Sequence, residues 1–366
     1  MDITQPFTTI ARSKKRMIDL DKHTPPTRKK VLRYLLILVV LGLAVNLLLP
    51  KIADLRTSWE IVQGMTWWAV GLAFFCQILV FVGYGYCLHS ILAIRDFRLK
   101  VGKGALIAMA SISIGLVAGG WVASVAAMFG FIRKENTDRA TATMAGILPT
   151  LLINGSIELV SIIGIIYLLI VDKITPSQLL RYSVFILLLS IVTFGSLLTL
   201  RFPKASYSVV NWVMSRWAKL RKKPHDPMKT QEMLNNYIDS WKAIGKGQWQ
   251  KPFLGAMMYI VFNMLCMYFL FIASGHNVNL GVLFAGFGLP LLLAKMAFLF
   301  PGGIGIIEAS MAALFTSLGV PEDISVVVII GYRLLSFWIP TLLGFGAAGF
   351  LSRGGSTPVL TDKQVI

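Results

Sequence analysis

A series of apolar runs separated by shorter polar links sets the plan of this chain. They extend from Val31 to Leu49, Trp67 to Leu92, Ala105 to Phe131, Ala142 to Val171, Tyr182 to Leu200, Pro252 to Ala273, Leu280 to Phe300, Ile304 to Leu318 and Ile324 to Leu351. Several reach the roughly 20 residues needed to cross a hydrocarbon core of about 30 Å. The fold class is therefore an all-α polytopic membrane protein. One long polar stretch interrupts the series, from Arg201 to Lys251, with Arg221, Lys222, Lys223 and Pro224 at its centre. Within it Val209, Trp212, Val213, Trp217 and Leu220 recur at helical spacing, as do Met233, Leu234, Tyr237, Ile238, Trp241 and Ile244. Both stripes predict amphipathic helices, lying on the membrane or packed on the protein.

Charge decides how the runs are threaded. Cytoplasmic loops carry the excess of Lys and Arg. With the amino terminus inside, full crossing by every run would put the basic stretch from Arg201 to Lys251 outside. One earlier run must therefore enter and leave by the same face. Ala105 to Phe131 suits this, because Gly115, Gly119 and Gly120 divide it near its middle. Arg133, Lys134 and Arg139 then become cytoplasmic, and the link near Asp172 falls outside. By the same count the pair Leu280 to Phe300 and Ile304 to Leu318 dips in from the outer face. The expected architecture has about six to eight spans plus two oppositely oriented re-entrant hairpins, each broken at a Gly-Gly pair, as in the inverted repeats of transporters. Residues 1–30 form a basic cytoplasmic tail, 31–352 one membrane domain, and 353–366 a second cytoplasmic tail.

Composition narrows the classes. Of 366 residues 56% are hydrophobic and only 14% charged, with mean hydropathy +0.71 and formal charge +18. The basic residues lie between apolar runs, which suits anionic headgroups rather than nucleic acid. The polar leader up to Lys30 lacks the layout of a cleaved signal peptide, so Val31 to Leu49 reads as an uncleaved anchor. Cys76, Cys87 and Cys266 all fall in apolar runs without metal or redox spacing and read as small core residues. No phosphate-binding loop, zinc-protease helix or nucleophile elbow occurs, so neither cofactor nor metal is expected and the chain does not read as an enzyme.

The candidate chemistry lies where the apolar pattern is broken. Pro301, Gly302, Gly303 and Gly305 are poor at continuing a helix. At membrane depth, broken backbone is tolerated where protein or a water-filled cavity covers it, and helix-start amides there can face an anion. Ionisable groups at that depth cost roughly 2.5 to 3.5 kcal/mol each. Four stand out: Glu158, one turn from Asn154, then Lys295, Glu308 and Arg333. One reading has Arg333 and the amides after Gly303 holding a lipid phosphate, with Lys295 adding charge and Glu308 positioning Arg333. The other is a structural ion pair locking the hairpin to the last span. Pro340 predicts a kink there.

The stretch Pro301-Gly-Gly-Ile-Gly-Ile-Ile-Glu308, then Leu318-Gly-Val, Tyr332-Arg333-Leu-Leu, and Ile339-Pro340 with Gly344 resembles the carboxy-terminal signature of the lysylphosphatidylglycerol synthase transmembrane-region family. That family includes the flippase domain of the multiple peptide resistance factor. The resemblance implies a bacterial or archaeal plasma-membrane protein, with both termini cytoplasmic, that moves an anionic or phosphate-bearing lipid between leaflets. It carries Gly302, Gly303, Glu308 and Arg333 over as functional residues. A homo-oligomer or a lipid-modifying enzyme is the expected protein partner. Many relatives carry charged residues in the first hairpin, where this chain reads Val117-Ala-Gly-Gly-Trp-Val-Ala123. The alternatives are a membrane subunit related to aminoacyl-phospholipid synthases and a non-transporting scaffold. For the synthase itself, the few polar residues after Leu351 are too short for a catalytic domain.

Overall fold

The computed structural model describes residues 55–118, 120–220, 227–228, 230–231, 234–235, 238, 248–296 and 304–353. Among these the chain is all helical. Its elements are α1 (Leu55–Gln63), α2 (Trp67–Ala93), α3 (Val101–Ala118), α4 (Trp121–Arg133), α5 (Arg139–Ile170), α6 (Pro176–Arg201) and α7 (Pro203–Leu220). There follow α8 (Gln250–Ala273), α9 (Leu280–Met296), α10 (Ile306–Ser317), α11 (Glu322–Arg333), a π-helical turn (Leu334–Trp338) and α12 (Ile339–Arg353). Five stretches among the described residues are long and apolar enough to cross a membrane: α2, α3, α5, α8, and α11 running on through the π turn into α12. The expected anchor from Val31 to Leu49 lies outside the described residues, as does the basic tail before it.

Small residues bring the helix axes together. At the crossing of α2 and α8, a Cβ on Gly83 would stand 2.9 Å from the Tyr259 amide, and one on Gly255 2.5 Å from the Cys87 amide. Each helix thus offers a glycine to the other. α9 runs antiparallel along α5, with Gly164 against Ala285 and Gly288 against Ser161. α3 runs antiparallel along α12, where Gly344 lies on Met109 and the Ser113 hydroxyl donates to the Thr341 carbonyl at 2.9 Å. Close backbone approach is how helices gain packing contacts where lipid removes the hydrophobic drive between them. Cys76, Cys87 and Cys266 are buried free thiols, as expected. His89 points Nδ1 at the Leu99 carbonyl, 2.6 Å away, and is a bundle residue.

Two helical hairpins result. In the first, α3 and α4 meet at Gly120, whose φ of 76° is open to glycine at little cost. Gly115 is pressed against Ser124 just beyond the turn. The start of α3 and the end of α4 return to one another, with Lys103 Nζ 2.5 Å from Glu135. Gly119 lies outside the described residues. The second hairpin pairs α9 with α10, Phe315 near the end of α10 filling the space beside Gly286 near the start of α9. Its turn, including Pro301, Gly302 and Gly303, lies outside the described residues.

The hairpins open at opposite ends of the molecule. At the first end, Arg95 pairs with Asp138 at 3.3 Å, and Lys134 reaches the Ser352 carbonyl at 3.5 Å. Loops 94–100 and 134–138 and the end of α12 therefore gather there with their basic side chains. At the other end, the Thr66 amide donates to the Ala273 carbonyl at 2.9 Å, and Gly281 packs on Tyr167 near the end of α5. Of the basic segments that parity places on one face, loops 94–100 and 134–138 share one end.

Seen as packing, the two halves exchange roles. α3 lies on α12 and α9 lies on α5, while α2 and α8 cross each other by matching glycines. The sequence carries the same correspondence. Ala123-Ser124-Val-Ala126-Ala127-Met-Phe129 on α4 matches Ala309-Ser310-Met-Ala312-Ala313-Leu-Phe315 on α10. Pro149-Thr150-Leu151-Leu152 on α5 matches Pro340-Thr341-Leu342-Leu343 on α12, after a slightly longer connection in the second half.

Candidate functional site

The second arm of the second hairpin begins at Gly305, the residue before α10, with φ 84°. Three residues on, Glu308 turns back so that its Oε2 accepts the Gly305 amide at 2.7 Å. This is half of a capping box: glycine has no side chain to return the bond. The other carboxylate oxygen accepts from Arg333 Nε at 2.6 Å. Both side chains are only 8% exposed. Arg333 is the last residue of α11, and its guanidinium carbon stands 4.3 Å from the centre of the Phe337 ring.

The chain brings Arg333 here for identifiable reasons. Pro340 has no amide to give the carbonyl one turn earlier, and its ring crowds that carbonyl. The helix responds by widening into the π turn, closed by the Ile339 amide on the Leu334 carbonyl. The expected kink is thus taken up as a π turn, a feature that clusters at functional sites. Neighbouring contacts fix the register of α11. The Tyr332 hydroxyl donates to Asn263 Oδ1 on α8 at 3.0 Å, and Asn263 Nδ2 donates to the Tyr259 carbonyl at 2.9 Å. The Phe287 ring on α9 meets Tyr332 edge-on at 6.0 Å.

Such a pair spends desolvation on two ions and recovers it through mutual attraction and hydrogen bonds. Glu308 engages both of its oxygens in the contacts described above. The arrangement locks α10 to α11, and it keeps a guanidinium at the start of a helix whose dipole favours anions.

The sequence-predicted residues fall into two groups. Gly305, Glu308 and Arg333 come together. The Gly305 amide is not open to an anion, contrary to the reading of free amides after Gly303, because Glu308 occupies it. Pro301, Gly302 and Gly303 lie outside the described residues. Lys295 is in the last turn of α9, and its side chain lies outside the described residues. Glu158 and Asn154 occupy a different seam. Glu158 is buried on α5 and accepts from Ser190 Oγ of α6 at 3.2 Å. Asn154 Oδ1 is buried and, among the described residues, has no hydrogen-bond partner. Extending the register of Gly288 on Ser161 and Ala285 on Gly164 carries the end of α9 towards the turn of α5 that holds Asn154.

Tyr259, Asn263, Tyr332 and Phe337 were not anticipated as parts of the site. Phe337 was detectable, since it lies one turn from Arg333 on the same helix. Asn263, a lone amide in an apolar span, was also visible. At the basic end, Asp138 caps α5 through the Thr141 hydroxyl and amide and pairs with Arg95. Partial burial works to raise its carboxyl, yet Thr141 and Arg95 outweigh burial and hold it below the usual range.

Residues 34–344 match the family described as the lysylphosphatidylglycerol synthase transmembrane region. The chain is similar to archaeal proteins named as UPF0104 membrane proteins. With one from Pyrococcus horikoshii it is 39% identical over 89 residues, 22% of this chain and 24% of the relative. With one from Methanothermobacter thermautotrophicus it is 26% identical over 170 residues, 42% of this chain and 50% of the relative. A third, from Methanocaldococcus jannaschii, is 26% identical over 133 residues, 35% of this chain and 39% of the relative. The matches span half or less of these relatives' length.

Proposed function

From the premise that this chain belongs to the lysylphosphatidylglycerol synthase transmembrane-region family, we propose that it carries a phosphate-bearing lipid between the leaflets of a bacterial or archaeal plasma membrane. The observation that carries this reading is the Glu308–Arg333 pair, buried beside the turn of a hairpin that opens opposite to the first. Ion pairs at membrane depth are expensive, and where they occur they mark substrate pathways. A pair needed only as a lock has cheaper apolar substitutes.

In this mechanism both hairpins are re-entrant, the basic end faces the cytoplasm, and both termini lie on that side. Glu308 neutralises Arg333 while the site is empty. An arriving phosphate competes for the guanidinium, whose fork suits two phosphate oxygens. Glu308 keeps its hold on the Gly305 amide, so the helix start stays formed as the anion exchanges. A headgroup that also carries an amine satisfies the released carboxylate oxygen. Lys295, Gly302 and Gly303 are the sequence's further candidates for contacting the anion.

The test uses the full chain reconstituted in liposomes with a fluorescent phosphatidylglycerol, its leaflet distribution read by quenching from outside. The parent accelerates exchange between leaflets, and Arg333→Gln, checked for insertion and monodispersity, abolishes the acceleration. Unchanged exchange by a properly inserted Arg333→Gln refutes the phosphate role. Absence of exchange by the parent, over several lipids, favours the non-transporting scaffold.

A further inference from the structure

α7 leaves large apolar side chains uncovered, unlike an amphipathic helix on a water-facing protein. Ala205, Val209, Trp212, Val213 and Met214 are exposed, Trp212 at 60% and Val209 at 60%. The half-buried positions are Ser206, Tyr207, Val210, Asn211, Ser215 and Ala218, a mixed polar and apolar face. A helix in water buries its apolar stripe. One that presents the stripe outward needs an apolar medium there.

Position and charge identify that medium. α6 leads directly into α7, and its own outward side chains are apolar, with Leu180, Leu187 and Ile191 each at least 59% exposed. The lipid-facing surface of α6 is therefore continuous with the stripe on α7. Glu158 meets Ser190 where α5 and α6 run antiparallel. Continuing that register sets Arg201 beside residue 147 of α5, about eight residues or roughly 12 Å short of the start of α5. α7 therefore leaves the bundle at about the depth where interfacial helices seat their apolar faces. Lys204 and Arg216 are exposed beside the stripe, and the Arg216 guanidinium stands 5.5 Å over the Trp212 ring. That contact keeps the arginine stem on the apolar face while its charge reaches outward.

We propose that α7 is an interfacial helix that docks on anionic lipid headgroups of the leaflet at the basic end of the molecule, with Val209, Trp212 and Val213 inserted and Lys204 and Arg216 at headgroup level. This docking is independent of whether the Glu308–Arg333 site moves lipid. It makes the leaflet's charge a ligand of the protein outside that site.

The test places a nitroxide at Val213→Cys or, on the opposite face, at Ser215→Cys, in the full chain reconstituted in vesicles. The native cysteines are buried, and the unsubstituted chain controls for their labelling. In vesicles of phosphatidylcholine with phosphatidylglycerol, the nitroxide at position 213 collides preferentially with oxygen, and that at 215 is shielded from both oxygen and a water-soluble nickel chelate. Replacing Lys204 and Arg216 by Gln, or omitting phosphatidylglycerol, depletes the inserted population, by about fivefold per basic residue removed. Preferential collision of position 213 with the chelate overturns the proposal in favour of a water-exposed helix. Dipolar broadening between nitroxides overturns it in favour of a second copy covering the stripe. Equal insertion with and without phosphatidylglycerol overturns the role of anionic headgroups.

Discussion

Removing one member of the Glu308–Arg333 pair should cost more than removing both. In Glu308→Ala the guanidinium keeps its charge, its burial and its place over Phe337, but loses the acceptor at 2.6 Å. Breaking a buried pair from one side costs about 3 to 5 kcal/mol. The Gly305 amide loses its acceptor as well, adding about 1 kcal/mol of cap energy. Arg333→Met is milder, because an abandoned carboxyl can neutralise itself by taking a proton and a guanidinium cannot. In the double variant Glu308→Ala with Arg333→Met no charge is left, and the remaining loss is the orphaned Gly305 amide with the space the glutamate leaves, about 1 to 3 kcal/mol. Equilibrium unfolding in mixed micelles, with each variant titrated by denaturing detergent, reads the cycle. The expected order of stability is parent, double variant, Arg333→Met, Glu308→Ala, with a coupling energy of roughly 2 kcal/mol or more. Glu308→Gln distinguishes charge from shape. It retains one acceptor oxygen, but its amide must present donors to either Arg333 Nε or Gly305 N, so it falls close to Glu308→Ala. Simple additivity of the two single losses would refute the reasoning.

Three other outcomes are expected. Gly255→Ala would press a Cβ to 2.5 Å from the Cys87 amide and 2.7 Å from its Cα, so the variant loses about 1 to 3 kcal/mol. Gly71→Ala on α2, with nothing within 4 Å, gains up to about 1 kcal/mol, and equal effects in the two unfolding curves would sink the argument. Asp138 holds its carboxyl below the usual range, so its cap on α5 contributes stability above the ordinary aspartate pKa and loses it as pH falls through the lower folded value. Stability of the parent therefore declines towards acid more steeply than that of Asp138→Asn, which accepts from the Thr141 amide without titrating, and parallel pH profiles would refute the assignment. A cysteine replacing Lys134 should be labelled from the same side as one replacing Ser352, since the two meet at 3.5 Å, and labelling from opposite sides would remove the first hairpin.

What the sequence made legible, and what it hid, follows from how each feature is encoded. The all-helical polytopic class came through because runs of apolar residues are sufficient for it, although five stretches among the described residues, not six to eight, are long and apolar enough to cross. The first hairpin came through because two signals agreed: glycines at the middle of Ala105 to Phe131, and a charge conflict that vanishes if the chain turns back there. Glu308 and Arg333 were found because charge in an apolar run is conspicuous, yet their direct contact joins elements far apart in the chain, which no local pattern shows. The Gly305 amide was misread as open because the competing acceptor lies only three residues away and reaches backward. The kink at Pro340 was foreseen, but its form as a π turn depends on α11 being held by Asn263 and Glu308. The repeated Pro-Thr-Leu-Leu was readable throughout. It gains weight once α5 and α12 are seen to do the same job for opposite hairpins.

That correspondence sharpens the question of why the two halves differ chemically. α4 and α10 share the Ala-Ser-x-Ala-Ala-x-Phe face that packs them, and both begin at a glycine with positive φ. Immediately before that face α10 carries Glu308, whereas the matching residue of α4 is Val122. Shared packing residues with unshared charges mean that the repeat preserves scaffold geometry, not ligand chemistry. Arg333 stands seven residues before Pro340, whereas Ala142 stands seven before Pro149, so the second half's chemistry does not transfer by one substitution. Where α3 meets α12, the contacts are uncharged, with Ser113 on Thr341 and Met109 on Gly344. Among the described residues the buried Glu308–Arg333 pair has no counterpart at the start of α4, which gives the proposed carrier a polarity. That polarity, rather than the symmetry, is what would let a headgroup held near Arg333 be presented differently to the two leaflets.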